Sequence, residues 1–234
     1  MNWINLIKYS SVQLRKLDDQ GVPCGFGSGC LLDFKGGRLL LTVFHVAQKS
    51  SKWSAQIKFD DETQKIEVLF LNEFSYLAGF SEDEKMIKDV EFSFHPVHPD
   101  FKSFYHNRNW KGETLELKER PVFTVSDIGE PNKNTLYGFS GDIKPTLFPD
   151  LNAFETTQHI YHGLRFDRVE NDVLYFKLPE NHPGHEMFQG CSGAPIIGED
   201  GKVVSLVSGG CDNTNEIFGC NLAKCIRTLD YFLE

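Results

Sequence analysis

The stretch Phe188-Gln189-Gly190-Cys191-Ser192-Gly193-Ala194-Pro195 holds a serine between glycines, directly ahead of the apolar residues Ile196 and Ile197. Such a turn can lift a hydroxyl out of a strand end and aim backbone N–H groups at the same point. A nucleophile and an oxyanion hole both need that geometry. Gly and Ser are also the commonest turn residues, so the turn by itself reads first as a surface link between strands. A serine hydroxyl becomes a nucleophile only when a base takes its proton, and an imidazole suits that task near neutral pH. A carboxylate must in turn orient the imidazole.

The chain has 8 histidines. His95/His98, His159/His162 and His182/His185 are pairs three residues apart, a spacing a metal could use. No Cys or carboxylate joins them at ligand spacing, so a metal site is not expected. His106 lies in a polar connection. His45 alone ends an apolar strand, Leu39 to Phe44, although a core histidine could sit there too. Asp89 opens a segment of strict alternation, Asp89 to His95, that reads as a half-buried strand. Asp83 and Asp100 are close enough in sequence to compete with it.

The elements that would carry these residues are short strands parted by turns. Gly25 to Phe34 and Leu39 to Phe44, joined by Lys35-Gly36-Gly37-Arg38, read as a hairpin. The glycines Gly25, Gly27 and Gly29 suggest close backbone packing, because no helix follows them to make a phosphate loop. Leu6 to Leu17 alternates loosely. Further strands are expected at 56–59, 65–70, 121–125, 135–139, 163–169, 172–178 and 203–208. Leu222 to Leu233 has one apolar stripe and is the best helix candidate. Residues 102–119 are polar and irregular and would hold an interdomain connection. The pattern is that of all-β barrels or a sandwich with one terminal helix.

Composition narrows the function. With 234 residues, 40% hydrophobic and 24% charged, the chain can bury one large core or two small ones. A net charge of -9 argues against nucleic acid as a partner. No apolar run has the length of a membrane span, and the N-terminus lacks the features of a secretory leader. A cytoplasmic location is expected, with the 6 cysteines reduced.

Several segments together resemble the trypsin/chymotrypsin-like serine peptidase family, in its intracellular and bacterial branch. Leu41-Thr42-Val43-Phe44-His45 is similar to the family's Thr-Ala-Ala-His segment, and Gly27-Ser28-Gly29-Cys30 to the strand before it. Asp89-Val90-Glu91-Phe92 resembles the segment carrying the acid. Gly190-Cys191-Ser192-Gly193-Ala194-Pro195 resembles Gly-x-Ser-Gly-Gly-Pro, and Gly201 to Gly210 the strand that binds substrate backbone. The order His, Asp, Ser is the family's own. The resemblance implies an all-β fold of two antiparallel six-stranded β-barrels with a C-terminal helix. Residues 1–112 would form the barrel carrying His45 and Asp89, and residues 113–234 the barrel carrying Ser192. It implies a serine endopeptidase acting through an acyl-enzyme, without metal or cofactor. Ser192 would be the nucleophile, His45 the base, Asp89 its orienter, and the N–H groups of Gly190 and Ser192 the oxyanion hole.

The resemblance also implies a primary pocket with Glu186 at its floor and Gly210 and Gly219 as its open walls, with Ser208 and Gly209 also binding substrate. An acid there favours Arg or Lys before the cut, unless Glu186 is simply solvated. Where secreted members have an acid before the nucleophile, this chain has Cys191. Activation through a freed N-terminus is therefore not expected, and restraint by a partner or another domain is a natural substitute. Bacterial defence systems use proteases gated in this way, though no residue here marks that context. The competing expectation is a catalytically silent β-barrel that binds peptide or protein.

Overall fold

The computed structural model describes residues 1–48, 52–60, 62–63, 65–81, 86–108, 113–148, 153–181, 184–211 and 213–232. The first half is built outward from a hairpin. β2 (Pro23–Phe34) turns through Lys35 and Gly36, both at positive φ, into β3 (Gly37–Thr42). Two consecutive positive φ values match the right-handed twist of the flanking strands. Gly29 lies where β2 runs so close to β3 that a Cβ would meet Leu41 O at 2.5 Å, so the glycine cluster serves backbone packing.

Around this hairpin lie β1 (Val12–Leu17), β4 (Trp53–Asp60), β5 (Lys65–Leu71), β6 (Ser75–Ser81) and β7 (Met86–Val97). The order across the sheet is β5-β4-β1-β2-β3-β7-β6, with β10 (Val122–Thr124) added in parallel to β2. The second half is a closed six-stranded barrel, in the order β11-β12-β13-β16-β15-β14. Its strands are β11 (Leu136–Phe148), β12 (Ala153–Glu170), β13 (Val173–Lys177), β14 (Pro195–Gly198), β15 (Val203–Cys211) and β16 (Glu216–Asn221). The all-β barrel architecture expected from the sequence is thus present, and so is the terminal helix, α3 (Leu222–Phe232).

Three local readings change. Residues 3–10 form a helix, α1 (Trp3–Ser10), capped by the Asn2 side chain, and only Val12 onward is strand. The Asn2 cap satisfies a free N–H of the first turn, and Ile7 is fully buried. Residues 102–119 are not irregular: β8 (Phe104–Arg108) and β9 (Thr114–Glu119) form an antiparallel hairpin. The expected boundary at 112/113 falls at the edge of 109–112, outside the described residues. His45 does not end a strand but sits in a one-turn helix, α2 (Phe44–Ala47).

One buried cluster spans both halves. Leu32, Leu41, Phe92 and Phe94 of the first pack with Ile197, Leu206, Cys220, Ile226 and Leu229 of the second. Burial of such aliphatic and aromatic side chains contributes about 1.5–3 kcal/mol each. The β-sheet of the first half and the barrel of the second are therefore held face to face, with α3 sealing the joint. All six cysteines are free thiols, four of them buried. Among the described residues, no helix is long and apolar enough to cross a membrane.

Candidate active site

The serine turn is shaped by two glycines. Gln189 (φ -60°, ψ 123°) and Gly190 (φ 96°), with the Cys191 N–H donating to Phe188 O at 3.0 Å, make a type II turn. That turn needs a positive φ at its third position, which glycine supplies. A Cβ on Gly190 would also run into Asp142 O and the ring of Phe26. Gly193 has φ 90°, and a Cβ there would strike Ser28 O and Thr42 Oγ1. Neither position tolerates a side chain.

The turn is bonded to both halves of the molecule. Ser28 N–H donates to Ser192 O at 2.8 Å, and Ser28 Oγ donates to Gly190 O at 2.7 Å. From the other side, Gly193 N–H donates to Val207 O at 2.8 Å. Thr42 Oγ1 donates to Ser28 O at 2.7 Å and so fixes the strand beneath. Among the described residues, the N–H groups of Gly190 and Ser192 donate to no protein acceptor. Two donors flanking one serine and left unpaired match what an oxyanion requires.

The residue after His45 reaches the same place through Gly27. A Cβ on Gly27 would meet Val46 Cγ1 at 2.8 Å and Ser192 O at 3.7 Å. The residue after His45 and the backbone of Ser192 therefore flank one glycine of β2. The ring is held by Glu91: His45 Nδ1 lies 2.9 Å from Glu91 Oε2, with both side chains a little over one-third exposed. No hydrogen bond joins Ser192 Oγ to His45 Nε2 among the described residues. Such bonds commonly tighten only when substrate is bound.

The carboxylate on His45 is thus Glu91, and the expectation of Asp89 is corrected. The reason is a bulge. Ser93 pairs with Tyr76 and Asp89 with Ala78, so residues 90–92 of β7 face the single residue Leu77 of β6. Glu91 stands in the middle of that bulge, and bulges re-aim side chains in this way. Asp89 lies beyond it on the regular strand and is exposed. Asp100 is also exposed, beside His98, and Asp83 lies outside the described residues.

Cys191 is fully buried, with Gly141 so close that a Cβ there would meet its Sγ at 2.5 Å. Burial, with Asp142 adding to it, pushes its thiol well above the usual range. The nucleophilic thiolate is disfavoured there, which leaves the neighbouring hydroxyl of Ser192 as the candidate.

The expected pocket residues are placed unevenly. Glu186 lies in a short turn, His185–Phe188, and its side chain is outside the described residues. Ser208 is the bulged residue of β15 between Val207 and Gly209, and its Oγ is buried without a protein partner among the described residues. Gly209 is covered by Phe218, whose Cζ would lie 2.7 Å from a Cβ there. Gly210 pairs with Ile217. Gly219 is not an open wall: it is buried, and a Cβ on it would strike Leu206 O and Ser205 Oγ. The β15–β16 ladder is packed too closely at that point to leave a pocket.

The sequence reading also passed over Glu216. It is 3% exposed and takes Arg168 at 2.6 Å and Lys177 at 2.7 Å. The Arg168 bond first, with the Lys177 and Thr214 bonds adding to it, lowers its carboxyl to about 2 against the cost of burial. Its position at the start of β16, just after the Asn213–Asn215 turn, carried no signal of that pairing.

No described protein family and no curated protein matches the sequence. Solved structures do match. A serine endoprotease from Yersinia pestis superposes with a TM-score of 0.56 at 12% identity, covering 97% of this chain and 64% of that one. Tobacco etch virus protease, in complex with product, gives 0.56 at 11% identity, covering 98% and 80%. An inactive form of Rv3671c protease gives 0.51 at 14% identity, covering 97% and 91%. The fold is chymotrypsin-like. The chain spans 64% of the length of the Yersinia protein. Identities this low establish the fold and leave the chemistry to the residues of the site.

Proposed function

We propose that this chain is a serine endopeptidase. Ser192 Oγ attacks the scissile carbonyl while His45 takes its proton, and a C–O bond forms. The oxyanion accepts from the N–H groups of Gly190 and Ser192. His45 then returns the proton to the leaving amine as the C–N bond breaks, and water hydrolyses the acyl-enzyme through the same base. Glu91 holds His45 in the tautomer with Nε2 free to accept, and stabilises the imidazolium. The observation that carries this reading is the His45–Glu91 contact of 2.9 Å, on the face where Gly27 separates Val46 from Ser192.

Protein or peptide substrates follow from that reading. Glu186 keeps a preference for Arg or Lys before the cut within the proposal. A panel of fluorogenic peptides varied at that position tests it, and preference for Phe or Leu would remove Glu186 from the pocket. Restraint by a partner or another domain stays within the proposal, motivated by Cys191 standing where secreted members have an acid. Full activity of the isolated chain at once on a protein substrate would remove it.

A silent peptide-binding barrel is the second reading. It is favoured by the missing hydrogen bond between Ser192 and His45. Labelling with a fluorophosphonate separates the two. A peptidase reacts at Ser192 and Ser192→Ala abolishes the adduct, whereas a binding module stays unlabelled.

A further inference from the structure

A second polar cluster lies behind the serine turn and takes no part in the chemistry above. Arg15 of β1, Gln56 of β4 and Arg120 after β9 are 2%, 3% and 4% exposed, and Asp142 of β11 is 9% exposed. Arg15 Nη2 donates to Gln56 Oε1 at 2.6 Å, and Gln56 Nε2 lies 3.4 Å from His106 Nδ1. Arg120 Nη1 donates to Tyr9 O at 3.2 Å. Both arginines keep a buried Nε that has no protein acceptor among the described residues.

The charges do not balance. Asp142 is the carboxylate that stabilises both guanidinium groups, and its Oδ1 also accepts from Thr156 at 3.1 Å. Burial lowers Arg15 and Arg120 to about 10, which leaves both charged near neutral pH. Burial, then Arg120, Arg108 and, more weakly, Arg15, lower His106 to about 4, so it is neutral there. Among the described residues that are buried in this cluster, two cations, Arg15 and Arg120, thus face one anion, Asp142. An uncompensated buried charge is strongly unfavourable, and buried guanidinium donors without acceptors add to the cost.

We propose that this cluster is a binding site for a small oxyanion, a carboxylate or a phosphate, held by Arg15 and Arg120 with Gln56 beside it. The ligand supplies the missing negative charge and the acceptors for the two Nε–H groups. Burial of every charged member limits it to a small species rather than a protein segment. Guanidinium groups are the side chains best matched to such planar or tetrahedral oxyanions. The site is one residue contact from the serine turn, since Asp142 O abuts Gly190. Any effect of occupancy on Ser192 rests on the peptidase reading, but binding itself does not, so the two can fail separately.

The test titrates inorganic phosphate, and separately acetate, into the purified full chain at ionic strength held constant with sodium chloride. Thermal unfolding and, for phosphate, phosphorus NMR line width are followed. Saturable stabilisation by either anion is expected, and which one binds identifies the headgroup. Arg15→Gln should weaken binding at least about tenfold. Asp142→Asn should tighten it by about fivefold, because it removes the competing negative charge. A general salt effect would move both variants alike and would overturn the site. So would absence of saturation with both anions in the wild-type chain, or Arg15→Met and Arg120→Met proteins that keep the wild-type anion response.

Discussion

The two sides of the candidate site are built by different means. On the second barrel, backbone does the work: two glycines at positive φ and a set of main-chain bonds define where Ser192 stands. On the first, side chains do it: a one-turn helix presents His45, and a strand bulge presents Glu91 to it. A backbone device is intolerant of any added atom and is written openly in glycine positions. A side-chain device tolerates backbone neighbours but depends on register, which a bulge can alter without any distinctive residue.

That contrast predicts graded responses. Gly193→Ala should be the most damaging change, because its Cβ would enter Ser28 O and Thr42 Oγ1 at a strained φ. A loss of about 3 kcal/mol or more in chemical denaturation is expected. Stability unchanged within error would show that the turn is not locked as described. His106→Asn acts away from both sides. His106 is lowered to about 4, first by burial, so the unfolded chain takes up its proton first. Its contribution is present above about pH 6.5 and is lost as pH falls through the folded value. The variant should lack on the order of 2 kcal/mol of the wild-type decline between those limits, read from unfolding at a series of pH values.

Smaller effects sharpen the picture. Glu216→Gln should cost on the order of 1–2 kcal/mol at pH 7, because Arg168 and Lys177 are themselves partly solvated. The folded carboxyl is depressed to about 2, so this stability is present above the ordinary Glu range and disappears as pH falls through about 2. Melts of both proteins should therefore converge in strong acid. Thr42→Val removes the hydroxyl that donates to Ser28 O and should cost about 1 kcal/mol. Unlike Gly193→Ala, it should leave the turn formed and Ser192 reactive.

The same contrast explains what could be read from sequence. Gly190 and Gly193 announce the serine turn because few other residues could stand there. The hairpin around Lys35-Gly36 and the helix from Leu222 were legible for the same kind of local reason. Motif and strand position pointed to Ser192 and His45. Glu91 was not legible, since period-two alternation puts Asp89 and Glu91 on one face and only the bulge at residues 90–92 chooses between them. Gly219 looked like an open wall because the family resemblance does not reveal how closely β15 and β16 approach in this chain. The Phe104–Glu119 hairpin looked irregular because its strands are polar, and Leu115 and Leu117 remain exposed. The Arg15–Gln56–Arg120–Asp142 cluster joins residues far apart in the chain and left no local trace at all.

The most direct test of the central claim compares the rate of fluorophosphonate labelling at Ser192 in three proteins. Glu91→Gln should slow it by about 10²–10⁴, as expected when the group orienting a catalytic histidine loses its charge. Asp89→Asn should stay within about twofold of wild type, since Asp89 does not touch His45. A slow Asp89→Asn protein beside a normal Glu91→Gln protein would contradict the account and return the role to Asp89.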